Sequence, residues 1–248
     1  MELCFDVLDS ILNLLNIEDI YRLKQLNKNF NYYVENELML INYCGDNMNK
    51  NIIKKHHTLK KIIMNELHND NIYDKDIINL NNLETLILPW NNNITDNGLK
   101  YIPKIKKLYL NNNERITDKG LKYISKVKYL NLYWNINITD EGLKYVPNIK
   151  KLYFGYNGDI TDEGLKNMPR IKKLYFNYNR DITDEGLKCI PDIEELLLGY
   201  NKKITNEGLK YIPKIKKLIL EDNKNITPNS LLYIPKIKIM RTQTINIC

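Results

Sequence analysis

"ITDEGLKYVPNIKKLYFGYN", Ile138–Asn157, is the stretch whose reading decides the fold. Alone it offers an acidic pair, a glycine and several lysines, residue types that could pass for chemistry. At 160–179 the chain says nearly the same again, "ITDEGLKNMPRIKKLYFNYN". An isoleucine recurs at Ile94, Ile116, Ile138, Ile160, Ile182, Ile204 and Ile226, always 22 residues apart. Three places before each stands an asparagine: Asn91, Asn113, Asn135, Asn157, Asn179, Asn201 and Asn223. An apolar triplet such as Ile149, Leu152 and Phe154 leads into the asparagine, and Gly142, Leu143 and Val146 follow it at fixed offsets. Fixed periods of this size mark solenoids, in which stacked coils share one core.

Each fixed position has a physical reason. The alternation in "LYF" has period two, so Leu152 and Phe154 point inward while Tyr153 faces out of a parallel sheet. The chain must turn after the strand, and a buried asparagine both donates and accepts, satisfying backbone groups of the adjacent coil. In "TDEG" a threonine or aspartate suits a helix N-cap, with the acidic pair at the positive end of the helix dipole. Leu143 and Val146 supply the buried face of a short helix that Pro147 is expected to stop. The acidic pair is thus a helix-starting device and not a catalytic one.

The pattern LxxLxLxxN, here "LETLILPWN" or "IKKLYFNYN", resembles a leucine-rich repeat over residues 72–248. The resemblance implies an α/β solenoid with a parallel concave sheet and short convex helices. The added "ITDEGL" is similar to the repeats of F-box/leucine-rich-repeat proteins, which usually carry cysteine where this chain has asparagine. At the other end, "LCFDVLDSILNLLNIEDIYRLKQLNKNF" (3–30) has helical spacing and resembles an F-box. Leu3, Asp6, Val7, Leu8, Ile11, Leu15, Asp19, Leu23 and Lys28 stand at matching places, and Cys4 replaces the usual proline. The expected organisation is a three-helix F-box-like domain at 1–40, a connecting or capping segment at 41–71, and the solenoid of 22-residue repeats at 72–248.

That combination implies a substrate-recognition subunit of an SCF-type (Skp-cullin-F-box) ubiquitin ligase. Leu3, Cys4, Ile11 and Leu15 would bury themselves in the Skp-type adaptor, and through it reach a cullin. The Asn-, Ile- and Lys-rich dialect, with 37 asparagines, resembles such proteins of giant amoeba-infecting DNA viruses (mimivirus-like). The rival reading is a stand-alone protein–protein interaction module.

Recognition is expected on the strand positions the framework leaves free. The outward column reads Tyr109, Asn131, Tyr153, Tyr175, and the residue before the first core leucine reads Lys107, Tyr129, Lys151, Lys173, Glu195. The residue before the asparagine reads Trp90, Asn112, Trp134, Tyr156, Tyr178, Tyr200. Tyrosine and tryptophan amid lysines on a rigid face suit a protein target, because these residues dominate binding hot spots. Single-stranded nucleic acid stacking on the rings is the less favoured alternative.

Other classes fall away. Three serines, none in a GxSxG setting, argue against a serine hydrolase. His56, His57, His68 and Cys44 lack metal-ligand spacing, and no GK[ST] follows the glycines, so no metal, cofactor or enzymatic activity is expected. No apolar run reaches the roughly 18 residues of a membrane span. The four cysteines are scattered, and "MELCFDVLDS" lacks the basic start of a secretory signal. The net charge is +7. The expectation is an intracellular, cytoplasmic protein, monomeric apart from its complex.

Overall fold

Each 22-residue copy closes into one coil, and the coil around Asn135–Gly155 shows why. Asn135 turns the chain out of a strand, Ile138 drops into the core, and Thr139 caps a one-turn helix. A helix of four residues has almost no stability of its own. It persists because Gly142 and Leu143 are buried against the neighbouring coils and Thr139 accepts the Glu141 N–H at 3.2 Å. The helix ends at Leu143, ahead of Pro147, in a turn where Tyr145 and Val146 donate to Gly142 and Leu143. Proline is therefore not the stop. The coil that carries Ser125 in its place makes the same four-residue helix.

The computed structural model describes residues 39–41, 59–63, 72–155, 160–177, 181–221, 223–242 and 245–247. One sheet runs through them in sequence order. Its strands are β1 (Met39–Ile41), β2 (Lys61–Ile63), β3 (Thr85–Ile87), β4 (Lys107–Tyr109), β5 (Tyr129–Asn131) and β6 (Lys151–Gly155). There follow β7 (Lys173–Asn177), β8 (Glu195–Leu198), β9 (Lys217–Ile219), β10 (Ile239–Arg241) and β11 (Asn246–Ile247). Strands β1 to β10 are parallel, whereas β11 turns back antiparallel on β10 and covers that edge. β1 pairs with β2 at a 22-residue offset, Met39 opposite Lys61, and β2 with β3 at a 24-residue offset, Lys61 opposite Thr85. The helices, α1 (Asp74–Ile77), α2 (Asp96–Leu99), α3 (Asp118–Leu121), α4 (Asp140–Leu143), α5 (Asp162–Lys166), α6 (Asp184–Lys188) and α7 (Asn206–Leu209), line the other side. None of them is long and apolar enough to cross a membrane.

Between the layers the leucines and isoleucines form one continuous core, with Phe154 and Phe176 meeting edge to face at 5.5 Å. The asparagines run along it as a ladder. Asn113 Nδ2 donates to the carbonyls of Asn91 (2.6 Å) and Ile94 (2.8 Å), while its Oδ1 accepts from Arg115 N (2.8 Å). Asn91, Asn135, Asn201 and Asn223 repeat this pattern, all fully buried. Asn157 and Asn179 lie outside the described residues, as do Leu3, Cys4, Ile11 and Leu15 of the F-box-like stretch.

A second ladder joins the coils on the helix side. Asp118 opens α3, but its carboxylate serves the next coil. Oδ1 accepts the Thr139 N–H at 2.9 Å and Oδ2 accepts the Thr139 hydroxyl at 2.7 Å. The same lock recurs from Asp74–Thr95 to Asp184–Thr205. It explains the glycine. A Cβ on Gly142 would lie 2.2 Å from Asp118 Oδ1, so glycine is needed for close approach, not for its backbone angles. Where the acid changes, the partners change too. Asn206 accepts the Thr227 N–H but donates Nδ2 to the Thr227 hydroxyl, Ser230 stands in the glycine position, and the helix becomes a 3-10 turn, Pro228–Tyr233.

This natural exception sets an expectation. Asp118→Asn should cost under about 1 kcal/mol, because the threonine hydroxyl can reverse to acceptor as Thr227 does. Asp118→Ala should cost about 2 kcal/mol by orphaning the Thr139 N–H and hydroxyl. Urea unfolding of the two variants measures the difference.

Candidate binding face

Alternation in the strands sends Leu108, Leu130, Leu152 and Leu174 into the core and their neighbours out of the sheet, away from the helices. The register then brings Lys107, Tyr129, Lys151, Lys173 and Glu195 side by side in one row. Tyr109, Asn131, Tyr153 and Tyr175 form the next row. The residues expected to carry recognition are thus adjacent. Tyr156 and Tyr178 lie outside the described residues.

The tyrosine row is a packed array. Tyr153 and Tyr175 stack at 4.4 Å with planes 15° apart, and Tyr109 meets Tyr153 edge-on at 6.2 Å across Asn131. Lysines lie against the rings, Lys107 at 5.1 Å from Tyr109 and Lys151 at 4.8 Å from Tyr153, a cation–π arrangement. The array ends at Glu195, which accepts from both Tyr175 Oη and Lys173 Nζ. Burial, then that hydrogen bond, pushes the Tyr175 phenol well above its usual range. Burial also pushes the Glu195 carboxyl upward, but the hydrogen bonds from Lys173 and Tyr175 outweigh it and hold the group below the usual glutamate value. At the opposite end, burial lowers the Lys107 ammonium, and the like charges of Lys151 and Lys61 add to the effect. Positive charge is therefore crowded at one end of the face and neutralised at the other.

Along the rim, where strands turn into coils, Trp90, Asn112, Trp134 and Tyr200 hold φ of 66°, 59°, 64° and 58°. Their N–H groups extend the ladder, Trp90 to Asn111 O (2.9 Å), Trp134 to Gly155 O (3.0 Å) and Tyr200 to Glu221 O (3.2 Å). Left-handed backbone suits asparagine and costs a bulky residue about 1–2 kcal/mol. Yet three of these four positions hold a large aromatic ring, nearly half exposed at Trp90 (47%) and Trp134 (46%). The scaffold does not merely permit these aromatics; its backbone disfavours them. Tyr133, which the residue pattern did not single out, joins this rim. Its ring is 6.2 Å from that of Trp134 and lies over Gly155, where a Cβ would meet it at 2.0 Å. The signal available in the sequence was the glycine one repeat on, in the column Tyr133, Gly155.

The coils that build this face match known proteins. The family model described as "Leucine Rich repeat" matches residues 79–103, 101–125, 125–146, 147–168 and 169–190. These coils are leucine-rich repeats. Among solved structures, an internalin C2 from Listeria monocytogenes is 27% identical with a TM-score of 0.58, covering 68% of this chain and 74% of that one. A TLR13–ssRNA13 complex is 16% identical with a TM-score of 0.60, over 82% of this chain and 31% of that one. The Toll–Spatzle complex of Drosophila is 13% identical with a TM-score of 0.63, over 85% and 34%. The latter two share the fold, and the repeats here span about a third of their length. No curated protein matches the chain.

Proposed function

We propose that this chain is a non-enzymatic recognition subunit whose repeat face binds a target protein and whose F-box-like segment hands that target to a Skp-type adaptor and cullin in the cytoplasm. The observation that carries the first half is the rim of aromatics kept in left-handed backbone beside the tyrosine–lysine rows. Strain of this kind collects at ligand-binding surfaces, where partner contacts repay it. The second half rests on the resemblance of Leu3–Phe30 to an F-box.

Co-purification of the full-length chain with a Skp-type adaptor tests the link to ubiquitin. Removing residues before Asn42 would also delete β1, so the informative variant is Leu3→Asp with Ile11→Asp. The adaptor is expected to accompany the parent chain and to be lost with the double variant. If the parent brings down no adaptor, the ubiquitin role fails and the chain is a stand-alone interaction module.

A further inference from the structure

Three positions at the entry to each strand, held by Lys104, Lys106 and Lys107 in "PKIKK" (103–107), recur 22 residues on in the next coil, whose strand lies about 4.8 Å away. One column is Lys106, Lys128, Lys150 and Lys172, four lysines in succession, bracketed by Glu84 and Glu194. Glu84 pairs with Lys106 at 2.8 Å, and Glu194 with Lys172 at 3.8 Å and with Lys216 at 2.5 Å. Between those ends Lys128 and Lys150 have no carboxylate partner among the described residues. Nor do Lys126, Lys107 and Lys151 in the flanking columns. Like charges stacked on a ladder oppose folding. The coil does not require lysine there, because Asp192, Glu194 and Glu195 hold the same three positions before and in β8; Asp192 and Glu194 pair with lysines on either side, and Glu195 with Lys173. The ridge is compensated at Lys106 and at β8, and its lysines from Lys107 in β4 to Lys151 in β6 have no carboxylate partner among the described residues.

We infer that the ridge of Lys107, Lys126, Lys128, Lys150 and Lys151 seats an acidic peptide segment of the target protein. This rests on the repeat face being a protein-recognition surface and adds the chemistry of what it recognises. From Lys106 to Lys172 is three ladder spacings, about 14 Å, which an extended peptide spans with four or five residues. Tyr129, 43% exposed between Lys107 and Lys151 in the register, gives an apolar residue of that segment a ring between two ammonium groups. A polynucleotide fits less well. The stacked pair Tyr153–Tyr175 presents its facing surfaces to each other, not to bases, and carboxylates close the track at both ends.

Fluorescence anisotropy of the full-length chain decides the matter with three labelled probes: an eight-residue peptide alternating Glu and Leu, its Gln counterpart, and an eight-residue uridylate RNA. The variant Lys126→Glu with Lys128→Glu is compared with Lys236→Glu and Lys238→Glu, exposed lysines of the same two columns beside β10. Both make the same change in net charge. The acidic peptide is expected to bind about tenfold tighter than the Gln peptide and to lose about tenfold in the first variant alone. Equal losses in both variants, or tighter binding of the RNA, would overturn the proposal. Equal binding of Glu and Gln peptides sinks the acidic ridge but leaves a peptide-binding face. Absence of binding by either peptide sinks both.

Discussion

Asn113→Ala destabilises the solenoid by about 4 kcal/mol, the largest loss expected of any single polar side chain in the repeats. Three backbone groups depend on this one amide: the carbonyls of Asn91 and Ile94 and the N–H of Arg115. All lie around a fully buried side chain, and each polar group left without a partner costs about 1–3 kcal/mol. Asn113→Asp keeps the acceptor but sets a carboxylate oxygen against two carbonyls, so it should be no better. The neighbour provides the control. Asn112 is half-exposed in left-handed backbone, and Asn112→Ala should cost only about 1 kcal/mol, the conformational penalty of a Cβ there. Urea unfolding with hydrogen exchange on β3 to β5 reads both effects. An Asn113→Ala loss below 1 kcal/mol would show that the ladder is not what holds consecutive coils together.

Gly142→Ala is expected to cost about 3 kcal/mol, although alanine is the better helix former by about 1 kcal/mol. The added Cβ would stand 2.2 Å from Asp118 Oδ1 and 3.1 Å from Leu121 Cδ1. Aspartate could swing away only by releasing both hydrogen bonds from Thr139. The two sites are therefore coupled, and the double variant Asp118→Ala with Gly142→Ala should cost little more than Asp118→Ala alone, about 2–3 kcal/mol. Simple additivity in that cycle would sink the account of why the glycine is there. Asn206 with Ser230 is the version of this pair that the chain itself carries.

Legibility differed between scaffold and face. Ile, Leu and Asn columns were readable because each acts through a property visible one residue at a time: apolar volume, or an amide that both donates and accepts. The "TD" pair was readable only as a helix start, since its second role joins Asp118 to Thr139, 21 residues away and in another coil. Proline misled in the same manner. Pro147 follows its helix closely, but Leu143 ends the helix first through tightened i→i+3 bonds. The rim aromatics were visible as a column, while the left-handed backbone that makes them costly was not, because Asn112 shares it without strain. On the ridge, Lys128 and Lys150 look like Lys172 and Lys216 until the ladder shows which of them a carboxylate reaches.

By itself the sequence determined the period, the α/β solenoid and the inward and outward faces, which follow from spacing within a coil. It determined the asparagine ladder too, because a buried amide that both donates and accepts must find its partners in the adjacent backbone. Only the tertiary structure decided what one coil does to the next: the Asp–Thr lock, the glycine that admits it, the stacked tyrosines ending at Glu195, and the ridge charge left without a carboxylate partner among the described residues from Lys107 to Lys151. Those depend on contacts about 22 residues apart, where side chains meet across a ladder spacing of about 4.8 Å. At that range the identity of the partner, not of the residue, sets the energy.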